Sequence, residues 1–148
     1  LQGDEPLMNI EDIKNLNNKM IQTKSKLGTL ASSISDNKLF NNQNVVKVIT
    51  KESLSTSEFP EALDFMRKTL NVSKNIYHHL GIYCYQINTL KNLTSLSQTF
   101  NEKKNNLEQL RALENNIKIN VALAKSSSIG VDTEEDFVAI KKIMEYKS

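Results

Sequence analysis

Ile76-Tyr-His-His-Leu-Gly-Ile-Tyr-Cys-Tyr-Gln86 reads as a β-strand, and the rest of the chain falls into place around it. Successive side chains of a strand point to opposite faces. One face carries Tyr77, His79, Gly81, Tyr83 and Tyr85; the other carries His78, Leu80, Ile82, Cys84 and Gln86. The second face is mostly apolar and suits a core. The first is polar and aromatic with a gap at Gly81, which suits a face turned towards a ligand or a partner.

Helix and strand patterns alternate on both sides of this segment. Upstream, Asn9 caps a helix expected over Ile10–Lys24, with Asp12 near its start and Ile10, Ile13, Leu16 and Met20 as its apolar stripe. Leu27–Ile34 and the β-branched Asn44–Thr50 read as strands, separated by a short helix or turn at Asp36–Asn42. Lys51–Phe59 is a polar loop, Ala62–Arg67 a weaker strand, and Thr69–Asn75 a polar, exposed stretch. Downstream, Asn88–Leu96 and Asn105–Glu114 read as helices, the second with Leu107, Leu110 and Leu113 on one side. Ile117–Ala124 alternates as a strand, and Ser126–Gly130 is a loop. Thr133–Asp136 has the spacing of a capping box, with Asp in place of Glu. It opens a last helix to about Tyr146, with Phe137, Ile140, Ile143 and Met144 expected to face inward. The alternation predicts an α/β fold with a mixed sheet, in one domain over residues 1–148.

Composition narrows the function classes. The chain has 148 residues, 39% of them hydrophobic, which supports one modest core. No run approaches the roughly 20 apolar residues of a membrane span, so no membrane partner is expected. Nineteen basic against 17 acidic residues give +2, which argues against a general nucleic-acid binder. The single Cys84 rules out a disulfide framework and any multi-Cys metal site, and makes a reducing, cytoplasmic location the default. His78 and His79 point to opposite faces. His78 and Cys84 share a face but sit roughly 20 Å apart along a strand, too far for one zinc ion or a Cys–His pair.

Two acidic turns remain as candidate chemistry. Asp4 lies in Gln2-Gly-Asp-Glu-Pro6 and Asp132 in Gly130-Val-Asp-Thr133. Ligands of open α/β sheets bind beyond the carboxyl ends of the strands, and carboxylates there suit Mg²⁺. Equally, Asp4 can be an ordinary turn residue and Asp132 a helix cap. Arg67 closes a strand and can meet an anion or water. Glu108 and Arg111 are one helical turn apart, the spacing of a surface pair. No Walker loop, GxSxG or GxGxxG is present. Leu1-Gln-Gly-Asp-Glu-Pro6 has neither a basic nor an apolar signal region and reads as the end of a strand entering a turn. The expectation is therefore a chain cut in mid-fold.

Five segments in order carry a resemblance: Leu1-Gln-Gly-Asp-Glu-Pro6, Asn44-Val-Val-Lys-Val48, His79-Leu-Gly-Ile-Tyr-Cys-Tyr85, Leu107-Glu-Gln-Leu-Arg-Ala-Leu113 and Gly130-Val-Asp-Thr-Glu-Glu-Asp136. Together the set resembles the 3-deoxy-manno-octulosonate cytidylyltransferase (CMP-Kdo synthetase) family. The resemblance implies a Rossmann-like nucleotidyltransferase fold, usually dimeric, that transfers CMP from CTP to Kdo for lipopolysaccharide assembly. It implies Asp4 and Asp132 as catalytic Mg²⁺ ligands, and Arg67, His79, Tyr83, Glu108 and Gln109 as substrate-binding positions. It also implies that a section holding CTP would precede Leu1. The chain would then be the C-terminal part of the domain, truncated at the N-terminus and inactive alone. The chain departs from the family pattern after Arg67, at Asn105 and at Glu134. A cytidylyltransferase for another ulosonic acid, of sialic acid type, and a non-catalytic remnant of a split or truncated gene are the alternatives.

Overall fold

The computed structural model describes residues 8–35, 37–69, 74–125 and 134–146. Asp4, Asp132, the 126–130 loop and Thr133 of the expected capping pair lie outside what is described. The elements are α1 (Ile10–Thr23), β1 (Leu27–Ser32), α2 (Asn37–Asn41), β2 (Lys47–Thr50), β3 (Ala62–Met66) and β4 (Ile76–Tyr85). They continue with α3 (Ile87–Ser95), α4 (Phe100–Asn105), α5 (Gln109–Glu114), β5 (Asn120–Leu123) and α6 (Glu134–Tyr146). The strands form one mixed sheet in the order β3-β2-β4-β1-β5. Only the β1–β5 pair is parallel among the described strands.

β4, the ten-residue strand at the centre, pairs with β2 on one side and β1 on the other. Its two faces are buried against different layers, so neither is simply open. Leu80 and Ile82 join Leu30, Ala122 and Ala124 beneath α1, which contributes Leu16 and Met20. Tyr77 packs on the opposite side with Val48, Phe65, Leu107, Leu110 and Ala112, under the α4–α5 region. Both faces of β1 are covered as well, and all six of its residues are buried.

α1 starts where Asn9 Oδ1 accepts from the Glu11 amide at 2.9 Å, and it stops at Lys24, which takes a left-handed conformation (φ 54°). Its close seat on β1 depends on Gly28. A Cβ there would meet Met20 Sδ at 2.7 Å, Phe59 Cζ at 2.9 Å and Leu16 Cδ1 at 3.0 Å. Asp12, buried on α1, accepts from the Lys125 amide at 2.9 Å and so ties the helix to the carboxyl end of β5.

Three expectations change. Asn105–Glu114 is not one helix but two, because Asn106 is left-handed (φ 53°) and ends α4 before α5 begins. α4 starts earlier than expected, at a full capping box: Thr99 Oγ1 accepts from the Glu102 amide, and Glu102 accepts from the Thr99 amide. In α6 only Ile140 of the four expected inward residues is fully buried. Phe137 is 55% exposed and Met144 52%, so the 3.6-residue stripe overstated that helix's contact.

Candidate functional site

The aromatic face of β4 faces a cleft. Tyr83 and Tyr85 meet Leu90, Leu93 and Thr94 of α3, Leu27 of β1, and Glu108, Gln109, Arg111 and Ala112 around the start of α5, enclosing about 120 Å³. The sequence alternation places both tyrosines on this side, and the break at Asn106 turns Glu108 and Gln109 to the other wall. His79, two positions further along the same face, does not line the cleft. It stands next to Tyr83 with ring centroids 5.5 Å apart, and Phe65 meets it edge-on at 4.9 Å. Tyr83 and Tyr85 continue the row at 5.9 Å.

Polar groups in this cleft are largely unspent. Among the described residues, the Tyr83 and Tyr85 hydroxyls, the Glu108 carboxylate and the buried Gln109 amide make no hydrogen bond to protein. None of them is sealed, since Ser32 Oγ is the one described side-chain atom buried without a partner. A buried polar group without a partner costs about 1–3 kcal/mol. A wall of reachable donors and acceptors is therefore suited to a ligand rich in hydroxyl and carboxyl groups.

Electrostatics set the charge states. Burial, reinforced by Tyr85 and Glu108, pushes the Tyr83 phenol far above its ordinary range. Burial also raises Tyr85, with Glu108 adding and Arg111 opposing. Both therefore act as neutral O–H donors. His79 is pushed down to about 3, first by burial and then by His78 beside it, so its ring is neutral.

The cations are spoken for in part. Arg111 lines the cleft, yet its guanidinium grips Glu102 of α4, with Nε 2.9 Å from Oε2 and Nη2 on Oε1. That pair replaces the Glu108–Arg111 contact that helical spacing suggested. Arg67 lies outside the cleft wall. Its Nε and Nη2 donate to the Asn105 and Asn106 carbonyls, each at 3.2 Å, and brace the turn that presents Glu108 and Gln109. The backbone of Arg67 is held in turn by Lys47, a fully buried lysine whose Nζ donates to the Arg67 carbonyl at 2.8 Å and the Asn42 carbonyl at 2.5 Å. Burial lowers the Lys47 pKa, and Arg67 lowers it further.

Of the residues singled out from the sequence, the structure gathers Tyr83, Glu108 and Gln109 in one cleft. It sets His79 behind Tyr83 and Arg67 beneath the α4–α5 turn. Sequence reasoning missed Lys47, Thr29 and the α3 wall. Lys47 sits between apolar neighbours in Val46-Lys-Val48, and that interruption was the available signal. Among the described residues, no group of three or more His, Cys, Asp or Glu side chains could hold a metal ion. No described helix is long and apolar enough to cross a membrane.

Comparison with known proteins places this geometry. The cytidylyltransferase family matches residues 1–119. The 3-deoxy-manno-octulosonate cytidylyltransferase of Thermodesulfovibrio yellowstonii is 41% identical over 149 residues, covering 97% of this chain and 58% of its own. That of Sinorhizobium medicae is 36% identical over 145 residues, covering 97% of this chain and 57% of its own. The chain thus spans under two thirds of the length of these relatives. A solved structure of CMP:2-keto-3-deoxy-manno-octonic acid synthetase complexed with CTP superposes over the whole chain and 61% of its own, with a TM-score of 0.83 and 27% identity. With a sequence match reaching from residue 1 to 119 and a shared fold along its full length, the chain belongs to the cytidylyltransferase family.

Proposed function

We propose that this chain carries the sugar-acid side of an enzyme that transfers CMP from CTP to Kdo, giving CMP-Kdo and pyrophosphate. The cleft carries the reading: two neutral tyrosine hydroxyls, a carboxylate and a buried amide, all unspent, in a cytidylyltransferase fold. Kdo offers several hydroxyls and one carboxylate. Tyr83 and Gln109 are the donors for its oxygens, and Glu108 is the acceptor for its hydroxyls. His79 supports Tyr83 from behind. Arg67 keeps Nη1 unspent among the described residues and is the outer contact for an anion. The Kdo named for the relatives and the CTP bound in the similar structure support both substrates.

Asp4 and Asp132 are proposed to hold Mg²⁺. Two carboxylates with hard oxygen donors fit that ion, and in sequence Asp132 falls between β5 and α6. When bound, the ion would neutralise triphosphate charge and orient the α-phosphorus for in-line attack by a Kdo hydroxyl. A homodimer, a cytoplasmic location and a role in lipopolysaccharide assembly complete the proposal.

The test is a ¹⁵N titration of this chain with Kdo, and with sialic acid in parallel. Saturable shifts at Tyr83, Tyr85, Glu108 and Gln109, and at the adjoining His79 and Arg67, are expected with Kdo. Shifts elsewhere, or stronger ones with sialic acid, would overturn the choice of sugar.

A further inference from the structure

Thr29 is fully buried on β1, facing Tyr83 across the sheet. The ladder there is irregular. Thr29 pairs with Tyr83 but its neighbour Leu30 pairs with Leu80, so Gly81 and Ile82 bulge out of register. The Thr29 hydroxyl fills the bulge. It lies 2.6 Å from the Ile82 carbonyl, 3.3 Å from the Leu80 carbonyl and 2.9 Å from His79 Nε2.

A hydroxyl has one proton and two lone pairs. At 2.6 Å from the Ile82 carbonyl, two oxygens without a proton between them would repel strongly, so the proton goes there. The His79 contact can then only be made with Nε2–H donating to Thr29 Oγ1. That leaves Nδ1 bare. Among the described residues Nδ1 has no hydrogen-bond partner, and it is not a sealed atom.

We propose that Thr29 is a positioning residue that holds His79 as the neutral Nε2–H tautomer, so that the ring behind Tyr83 offers only an acceptor, Nδ1. The depressed pKa of His79 agrees with a neutral ring. For ligand choice, which rests on the proposed function, that acceptor would favour a hydroxyl of a polyhydroxylated acid reaching past Tyr83 and leave the carboxylate to other groups. An imidazolium, or a ring turned to the other tautomer, would reverse that preference.

The tautomer is measured without any substrate. Long-range ¹H–¹⁵N correlation on the ¹⁵N-labelled chain, with a His78→Gln variant to assign the rings, reports each ring nitrogen. Expected is a pyrrole-type Nε2 and a pyridine-type Nδ1 for His79 from pH 5 to pH 8. Thr29→Ser keeps that pattern, while Thr29→Val shifts the ring to mixed tautomers. An Nδ1–H ring or an imidazolium at pH 6 in the unmodified chain overturns the proposal, as does an unchanged pattern in a folded Thr29→Val. If Thr29→Val does not fold, the unmodified chain and Thr29→Ser decide alone. Added Kdo should then move Nδ1 and spare Nε2. The assigned tautomer with no response to Kdo leaves the role of Thr29 standing and counts against the Kdo reading.

Discussion

Replacing Arg111 with Met removes the one cation that, among the described residues, holds the buried Glu102 carboxylate. Glu102 is 3% exposed as a side chain and Arg111 18%, and the two meet through a two-pronged contact that joins α4 to α5. Removing one member of a buried pair costs about 3–5 kcal/mol. Glu102 would keep the Thr99 amide at 3.2 Å and the Gln98 amide nitrogen at 3.5 Å, so the lower end applies, about 3 kcal/mol. For a chain of this size that is a fall in Tm of roughly 6–12 °C. Adding Glu102→Gln should recover about 2 kcal/mol, because the stranded charge is gone. The pH dependence gives a second readout. The Arg111 hydrogen bond is the main cause holding Glu102 below its ordinary carboxyl value. The unfolded chain binds that proton first as pH falls, so this stability is present above about pH 4.3 and lost through the lower folded value. Arg111→Met should lose that part of the acid slope. Thermal melts of both single variants and the double, from pH 3 to pH 7, measure it. An Arg111→Met melt within 1 °C of the parent, or fully additive variants, would refute the reasoning.

Lys47→Met keeps the buried stem but strands the Asn42 and Arg67 carbonyls, a loss of about 2 kcal/mol at pH 7 by urea unfolding. Because the folded pKa of Lys47 is lowered, the unfolded chain binds more protons up to 10.5, and parental stability gains from this group as pH rises towards that value; the variant should lack the gain. Gly28→Ala drives a methyl into Met20, Phe59 and Leu16 and should cost about 1–3 kcal/mol, which the same unfolding curves would show. In an active protein containing these residues, Asp4→Asn and Asp132→Asn should each cut kcat at least tenfold with an unchanged melt, whereas Asp136→Asn should not; near-normal rates in the first two would remove the metal assignment.

The period-two pattern of Ile76–Gln86 was enough to identify β4 as a strand, because alternation reports local geometry directly; its place at the centre of the sheet came from the fold. The pattern could not say that both faces are covered, since burial on the aromatic face comes from Leu107, Leu110 and Ala112, distant in sequence. The break between α4 and α5 was hidden for a related reason. The leucine stripe from Leu107 to Leu113 reads as one helix, and only the left-handed Asn106 and the Thr99–Glu102 box reveal two. Tyr83, Glu108 and Gln109 were marked as candidate site residues by family resemblance alone, and their meeting in one cleft needed the fold. The supports behind them, Thr29, Lys47 and the Glu102–Arg111 pair, depend on carbonyls and charges brought close by topology, which no local motif encodes.

Pyrophosphate release from CTP, with Mg²⁺ and varied Kdo, tests the central claim most directly. The protein to use is this chain joined to the part of the Thermodesulfovibrio yellowstonii relative that it does not match. Release should require Kdo, and Glu108→Gln and Tyr83→Phe should each raise the KM for Kdo about tenfold or more while the KM for CTP stays put. Release that proceeds equally with sialic acid, or variants that move both KM values together, would contradict the assignment of this cleft to Kdo.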